Sequence, residues 1–432
     1  MEIENKEEEI NSNARVLNLA TFFCLYIAQS VPSSFLATAL QVLMREAHYS
    51  LATIGLLQLV KLPWIIKFLW SPLVDRNCLT VADYKRCIVS SELAYAVLLF
   101  LTTFLSVDTD IYWILTLVTL SLAASATQDI ATDALAVLAF HSKERSMVNS
   151  MQSMGQFGGV IVGSGLLIMV LHSYGWRTVV PCLSAFVLLA LTPLVLNRHI
   201  KIEQREKRNR ARLTDFVWFF ATPGIWRQVG FLILYYAGII GILSMLRPFM
   251  VDLGYTMKEI GFLLGIVGTA AAFVASYVAG RVVRRFGIHK SRIAFAVCVL
   301  LTTMHFYGSS LYTPSRAAIV ASVCLLWACY GMATIVVFTS SMQCVRKGRE
   351  GTDFTVQTVI THLSSMLLAI GSGSFAQLFG YSTLFLTEAV IAAASLCYIL
   401  VVFKTTPATP ATPSSPATPP LTPPKGGEKP TP

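Results

Sequence analysis

Twelve apolar runs recur along this chain, near 16–39, 51–74, 87–106, 111–138, 147–171, 176–197, 228–247, 257–280, 293–311, 316–340, 354–377 and 381–403. Most reach the roughly 20 residues that cross the hydrocarbon of a bilayer, and nothing else in the sequence restricts the fold as much. Lipid offers backbone groups no hydrogen-bond partner, so a chain crosses it only as helices or as a closed barrel. A barrel would show short alternating segments, whereas these runs are continuous. Only 13% of the residues are charged and 55% are hydrophobic, roughly half the charge of a soluble domain. The expected fold is an all-α polytopic membrane protein with 12 transmembrane helices.

The charges between the runs orient them. Loops after even-numbered spans carry 21 Lys and Arg, against five after odd-numbered spans. Lys and Arg favour the inner side, so both termini are expected in the cytoplasm. This accounts for the net charge of +10 without nucleic acid. The chain then divides into an acidic N-terminus (1–15), a first six-helix half (16–197), a basic linker (198–227), a second half (228–403) and a Pro/Thr-rich tail (404–432). The linker is expected to be solvated, and the tail, with ten of the 18 prolines, disordered. The acidic start "MEIENKEEEINSNAR" lacks the basic opening of a cleaved signal peptide, so the first span reads as an uncleaved insertion signal. The nine cysteines include no CxxC and lie mostly in apolar runs. They read as small hydrophobes, and no disulfide or metal site is expected.

The chain repeats itself. Leu40 to Gly55, "LQVLMREAHYSLATIG", matches Leu246 to Gly261, "LRPFMVDLGYTMKEIG", at an offset of 206 with five identities and no gap. A second echo pairs "SPLVDR" (71–76) at the end of span 2 with "GRVVRRFG" (280–287) at the end of span 8. Two homologous halves in parallel are the architecture of the major facilitator fold, in which substrate sits between halves that rock. The loop resembles that superfamily's signature, G-x-x-x-D-R-x-G-[RK]-[RK]. Ser71 stands at the first Gly, Asp75 and Arg76 are in place, and Lys85 and Arg86 follow later. In the second half Gly280 and Gly287 fit, while Arg284, followed by Arg285, replaces the acid. The resemblance implies that these residues latch the cytoplasmic side in one state.

"KFLWSPLVDR" (67–76) and "TQDIATDALA" (127–136) together resemble the AmpG-like branch of this superfamily. That branch holds muropeptide permeases, siderophore permeases of the RhtX/FptX type and acetyl-CoA transporters. Residues 198–225 contain no spanning run, whereas muropeptide permeases commonly carry extra helices there. "RPFMVDLGYTMKEIGFLLGIVG" (247–268) and "GTDFTVQTVI" (351–360) also look more like the siderophore members. The resemblance implies import of a sizeable organic solute across a bacterial inner (plasma) membrane, first a siderophore or its iron chelate, alternatively a muropeptide.

Asp129 and Asp133 lie four residues apart in span 4 and share a helix face. A charged carboxylate at the bilayer centre costs about 2.5–3.5 kcal/mol on insertion scales, so such groups face a cavity or a partner. They are the candidates for proton coupling, against a structural reading in which a Lys or helix ends neutralise them. Lys61 and Lys67 flank Pro63 in span 2. Lys67 is expected to snorkel. Lys61 is either the partner of Asp129 or a site for an anionic substrate. Gln29, Gln58, Gln128, Gln152 and Gln156 are candidates for the cavity wall, although such residues often only bond between helices. His362 is a proton or ligand candidate or a satisfied histidine, and Asp353 is expected to cap helix 11. Gly155, Gly158, Gly159, Gly163 and Gly165 in span 5, with Gly371 and Gly373 in span 11, should let helices approach closely.

These features describe a monomeric proton symporter with alternating access, without cofactor. An integral-membrane transferase would need an acid/base or metal constellation, and HxxxxD, HExxH and DDxxD are absent. So is the ATP-binding GxxxxGK[ST]. A non-transporting receptor of the same fold differs from a permease in measured flux.

Overall fold

The computed structural model describes the backbone at 2–55, 57–202, 210–312 and 314–403, with side chains from residue 12 onward except those of 51, 52 and 58. The tail and the centre of the linker lie outside the described residues, as does the side chain of Gln58.

Among the described residues, ten helices are long and apolar enough to cross a membrane. They are α1 (Glu2–Glu46), α3 (Val81–Leu101), α4 (Ile111–Ala139), α5 (Arg145–Tyr174), α6 (Trp176–Leu196), α7 (Ile225–Asp252), α8 (Met257–Phe286), α9 (Ile288–Ser309), α10 (Arg316–Gln343) and the long helix Glu350–Val402. The last is two helices. Gly380, at φ 79° and ψ 167°, divides it into α11 (350–379) and α12 (381–402). The twelfth crossing, α2, is broken into Leu51–Gly55, Leu57–Val60, Leu62–Ile66, a 3₁₀ turn Lys67–Leu69 and Ser71–Asn77. Pro63 and Pro72 each open one of these pieces, where a missing N–H costs nothing. Two starts carry capping boxes, Thr80 with Asp83 and Thr256 with Glu259.

The repeat read in the sequence is a repeat of backbone geometry. His48 is the sole described non-glycine residue with positive φ (58°), and Gly254 (φ 84°) occupies the same place in the second half. Both close a helix alike. Tyr49 N–H donates to the Met44 carbonyl at 3.0 Å, and Tyr255 N–H to that of Met250 at 3.0 Å. This pairing satisfies helix-end carbonyls through a left-handed residue. Gly175 (φ 73°, ψ 170°) and Gly380 likewise make matching turns before α6 and α12.

Three glycines in α5 set its distance from α1. A Cβ on Gly155 would lie 2.6 Å from Tyr26 Cβ, and those on Gly159 and Gly163 would strike the backbone of Ser30 and Val31. Gly158 and Gly165 face α8 instead, near Phe273 and Ile266. In α11 the expected close approach does not occur: Gly371 has open space beside it and Gly373 has Met245 at 3.6 Å. Gly155→Ala should therefore lower the melting temperature of the detergent-solubilised protein, because overpacking costs about 1–3 kcal/mol, while Gly371→Ala should not. Equal melts for both variants would refute the tight α1–α5 seam.

The linker is less solvated than expected. Ala211, Asp215 and Phe219 are buried. Asp215 pairs with Arg349, and its carbonyl accepts from Arg346 Nη2 at 2.7 Å. This part of the linker is held against the α10–α11 loop by partly buried charge-assisted bonds.

Candidate functional site

A cavity of about 390 Å³ opens between α1, α2, α4 and α5 and reaches Leu40 and Gln41, in the last two turns of α1. Its walls include Gln29, Ser33, Lys61, Trp64 and Gln156, and His362 of α11 is the second half's contribution. The broken α2 brings Leu57, Val60, Lys61 and Trp64 to this wall. Polar sites at discontinuous helices are typical of carriers. In α5, a π-helical stretch (Ile161–Leu166) turns Ser164 toward α1, where it donates to the Ser34 carbonyl at 2.9 Å.

The two aspartates sit just behind this cavity. Asp129 is buried and ion-paired with Lys67, and it accepts from Gln29 Nε2 at 2.9 Å. Since Gln29 also faces the cavity, Asp129 lies one hydrogen bond from it. Asp133, one turn further along α4, accepts from Tyr26 Oη at 2.8 Å and Gln152 Nε2 at 3.1 Å. Its other oxygen has no hydrogen bond among the described residues. Both carboxyls thus face α1, with α2 and α5 supplying the remaining donors.

Several expectations need correction. Lys67 does not snorkel: it is 2% exposed, stacks 4.8 Å over Trp64, and is the partner of Asp129. Lys61 is therefore not that partner, and its place is the cavity wall. Gln128 and Gln152 are buried away from the cavity; Gln128 donates to Thr132 on its own helix at 2.9 Å, and Gln152 serves Asp133. Asp353 does not cap α11. It receives Arg346 through Nε at 2.9 Å and Nη2 at 2.6 Å.

Asp75 takes the capping role instead, from the other half. Its carboxylate accepts from the backbone N–H of Gly351 at 3.0 Å, and from Thr352 N–H and Oγ1 at 2.7 Å each. The first N–H groups of a helix lack internal partners and attract negative charge. Ser71, buried one turn earlier, donates to the Phe68 carbonyl at 3.0 Å and so secures the start of this last piece of α2. The same side is closed by Arg145 donating to the Met342 carbonyl at 2.6 Å, Asn149 to Thr339 at 3.1 Å and Ser146 to the Gly280 carbonyl at 3.0 Å. Gly287, at φ 82°, makes the turn into α9. Arg76, Arg284 and Arg285 are exposed, and among the described residues they make no bond across this closure. The contact that Asp75 makes across this closure is thus a carboxylate on a helix end. The halves meet on the linker side, and the cavity opens on the opposite side.

Among the described residues, two acids buried within the apolar runs themselves escaped the sequence reading. Glu92 in α3 is 0% exposed, and neither of its carboxyl oxygens has a hydrogen bond among the described residues. Glu388 in α12 fills the space left by Gly241 of α7. Each is a lone acid in an apolar run, a signal of the same kind as the Asp129–Asp133 pair.

Comparison with known proteins agrees with this architecture. The chain is 24% identical over 398 residues to the anhydromuropeptide permease of Escherichia coli, covering 89% of this chain and 80% of that one. It is 24% identical to a Rickettsia conorii protein called putative transporter AmpG 4, covering 90% and 96%. Among solved structures, FucP in the outward conformation superposes with a TM-score of 0.67 at 13% identity, covering 90% of this chain and 98% of that one. The proton:xylose symporter XylE superposes with a TM-score of 0.64 at 13% identity, covering 89% and 94%. The family model for the Major Facilitator Superfamily matches residues 19–367, and the chain, built of two six-helix halves, belongs to that superfamily of membrane transporters.

Proposed function

We propose that this transporter is a proton-coupled permease for a peptidoglycan fragment, a muropeptide. The observation that carries the reading is the similarity to the anhydromuropeptide permease along nearly nine-tenths of the chain. The siderophore reading rested partly on the missing helices between the halves. That argument loses its force, because the chain spans 96% of the rickettsial AmpG relative. The cavity suits the chemistry of a muropeptide. Lys61 offers an ammonium for a carboxylate, Gln29 and Gln156 offer amides for hydroxyl and peptide groups, and Trp64 offers a flat apolar face for a sugar ring. With the basic linker in the cytoplasm, the cavity opens to the outside, as import requires. In this reading Asp129, one hydrogen bond from the cavity, exchanges the coupled proton as the site changes sides.

Proteoliposomes with an imposed inward proton gradient test this reading. Labelled anhydromuropeptide should accumulate, and a protonophore should abolish the accumulation. Accumulation of a ferric siderophore with no muropeptide uptake would overturn the substrate assignment.

A further inference from the structure

The second copy of the loop motif has Arg284 where the first copy has its acid, and it joins the closure of the linker side through the Gly280 carbonyl, with no bond from its arginines among the described residues. The arginines line something else. A cleft of about 820 Å³ lies between α1, α5 and α8, and Arg281, Arg284 and Arg285 form one of its walls. These residues stand at i, i+3 and i+4 and so share a helix face, where like charges repel. Arg281 lies 4.7 Å over the Tyr277 ring and Arg285 5.5 Å over the Phe286 ring. Among the described residues no carboxylate is paired with any of the three, whereas Arg15, at the same cleft, is paired with Glu144 at 2.8 Å.

Much of the remaining lining is apolar: Met147, Met151 and Met154 of α5, with Leu19 and Phe23 of α1. From Ser12 to Phe23 the cleft follows α1 for about 16 Å, at 1.5 Å per residue. Val16, which lines it, is 63% exposed, so the cleft is open at the surface along an apolar stretch of α1. A small soluble anion would satisfy the arginines and leave the methionines bare. A ligand with an anionic head and a hydrocarbon chain matches both parts of the lining.

We propose that this cleft binds an anionic phospholipid, with the phosphate on Arg281, Arg284 and Arg285 and an acyl chain along Met147, Met151 and Met154. Guanidinium groups suit phosphate by geometry as well as charge. The lipid bridges α1 and α5 of the first half to α8 of the second, and so supports the state closed on the linker side. This holds whichever solute the transporter carries.

Native mass spectrometry of the purified full chain, exposed to equal phosphatidylglycerol and phosphatidylcholine with the same acyl chains, reads the site directly. Phosphatidylglycerol should be retained in preference. The triple variant Arg281→Gln, Arg284→Gln, Arg285→Gln should cut that preference about tenfold, through loss of charge-assisted bonds. Met151→Trp keeps the three arginines but fills the acyl wall, and should also reduce phosphatidylglycerol retention. Millimolar inorganic phosphate should not raise the melting temperature as short-chain phosphatidylglycerol does. Unchanged preference in the triple variant overturns the site, and retention indifferent to Met151→Trp overturns the acyl groove. Equal protection by phosphate replaces the lipid with a free anion.

Discussion

Asp129→Asn should abolish uphill accumulation of substrate. On its own that loss would be ambiguous. Lys67 and Asp129 are both buried, and their ion pair ties α2 to α4. Removing one partner leaves an ammonium without a counter-charge, and breaking a buried pair this way costs about 3–5 kcal/mol. The single variant could therefore fail simply by misfolding. The double variant Lys67→Met, Asp129→Asn removes both charges, and replacing a buried pair with uncharged groups of similar volume is often neutral. It should melt close to the parent protein. If Asp129 carries the coupled proton, the double variant should still exchange labelled for unlabelled substrate, because a loaded carrier needs no deprotonation to rock. It should not accumulate substrate under an imposed proton gradient. Restored accumulation in the double variant would make the pair structural and shift the coupling role to Asp133 or His362.

The second large effect is expected at Asp75. This carboxylate holds three hydrogen bonds on the first turn of α11, in the opposite half. Bonds to a charged group contribute about 1.5–3 kcal/mol each. Asp75→Asn keeps one acceptor oxygen but loses the charge and the second acceptor. A loss of about 3 kcal/mol would shift the balance between the two access states about a hundredfold toward opening on the linker side. Ser341, 1% exposed, lies near this closure. A Ser341→Cys reporter in a background cleared of the nine free cysteines should react with maleimide much faster when Asp75→Asn is added. Substrate affinity should stay within a few-fold, since Asp75 is remote from the cavity wall. Unchanged labelling together with unchanged flux would reduce Asp75 to a helix-end contact with no influence on state.

The sequence alone determined what one-dimensional patterns can carry. Continuous apolar runs fixed helical crossings, because unpaired backbone groups are not tolerated in lipid. The 206-residue echo fixed the two halves, and it survives as the matched turns at His48 and Gly254. The shared face of Asp129 and Asp133 was legible because both lie on one unbroken helix, where 3.6 residues per turn is a reliable ruler.

The partners of these groups were settled only by tertiary structure. Six residues separate Lys61 from Lys67, and on a straight helix they would point in different directions without either being favoured. The breaks in α2 and its docking on α4 decide that Lys67 meets Asp129 and that Lys61 faces the cavity. Asp75 and Thr352 are 277 residues apart, and their contact exists because the halves are closed on one side. Burial and long-range pairing depend on how helices rotate about their axes when they pack, and a local sequence pattern does not encode that rotation.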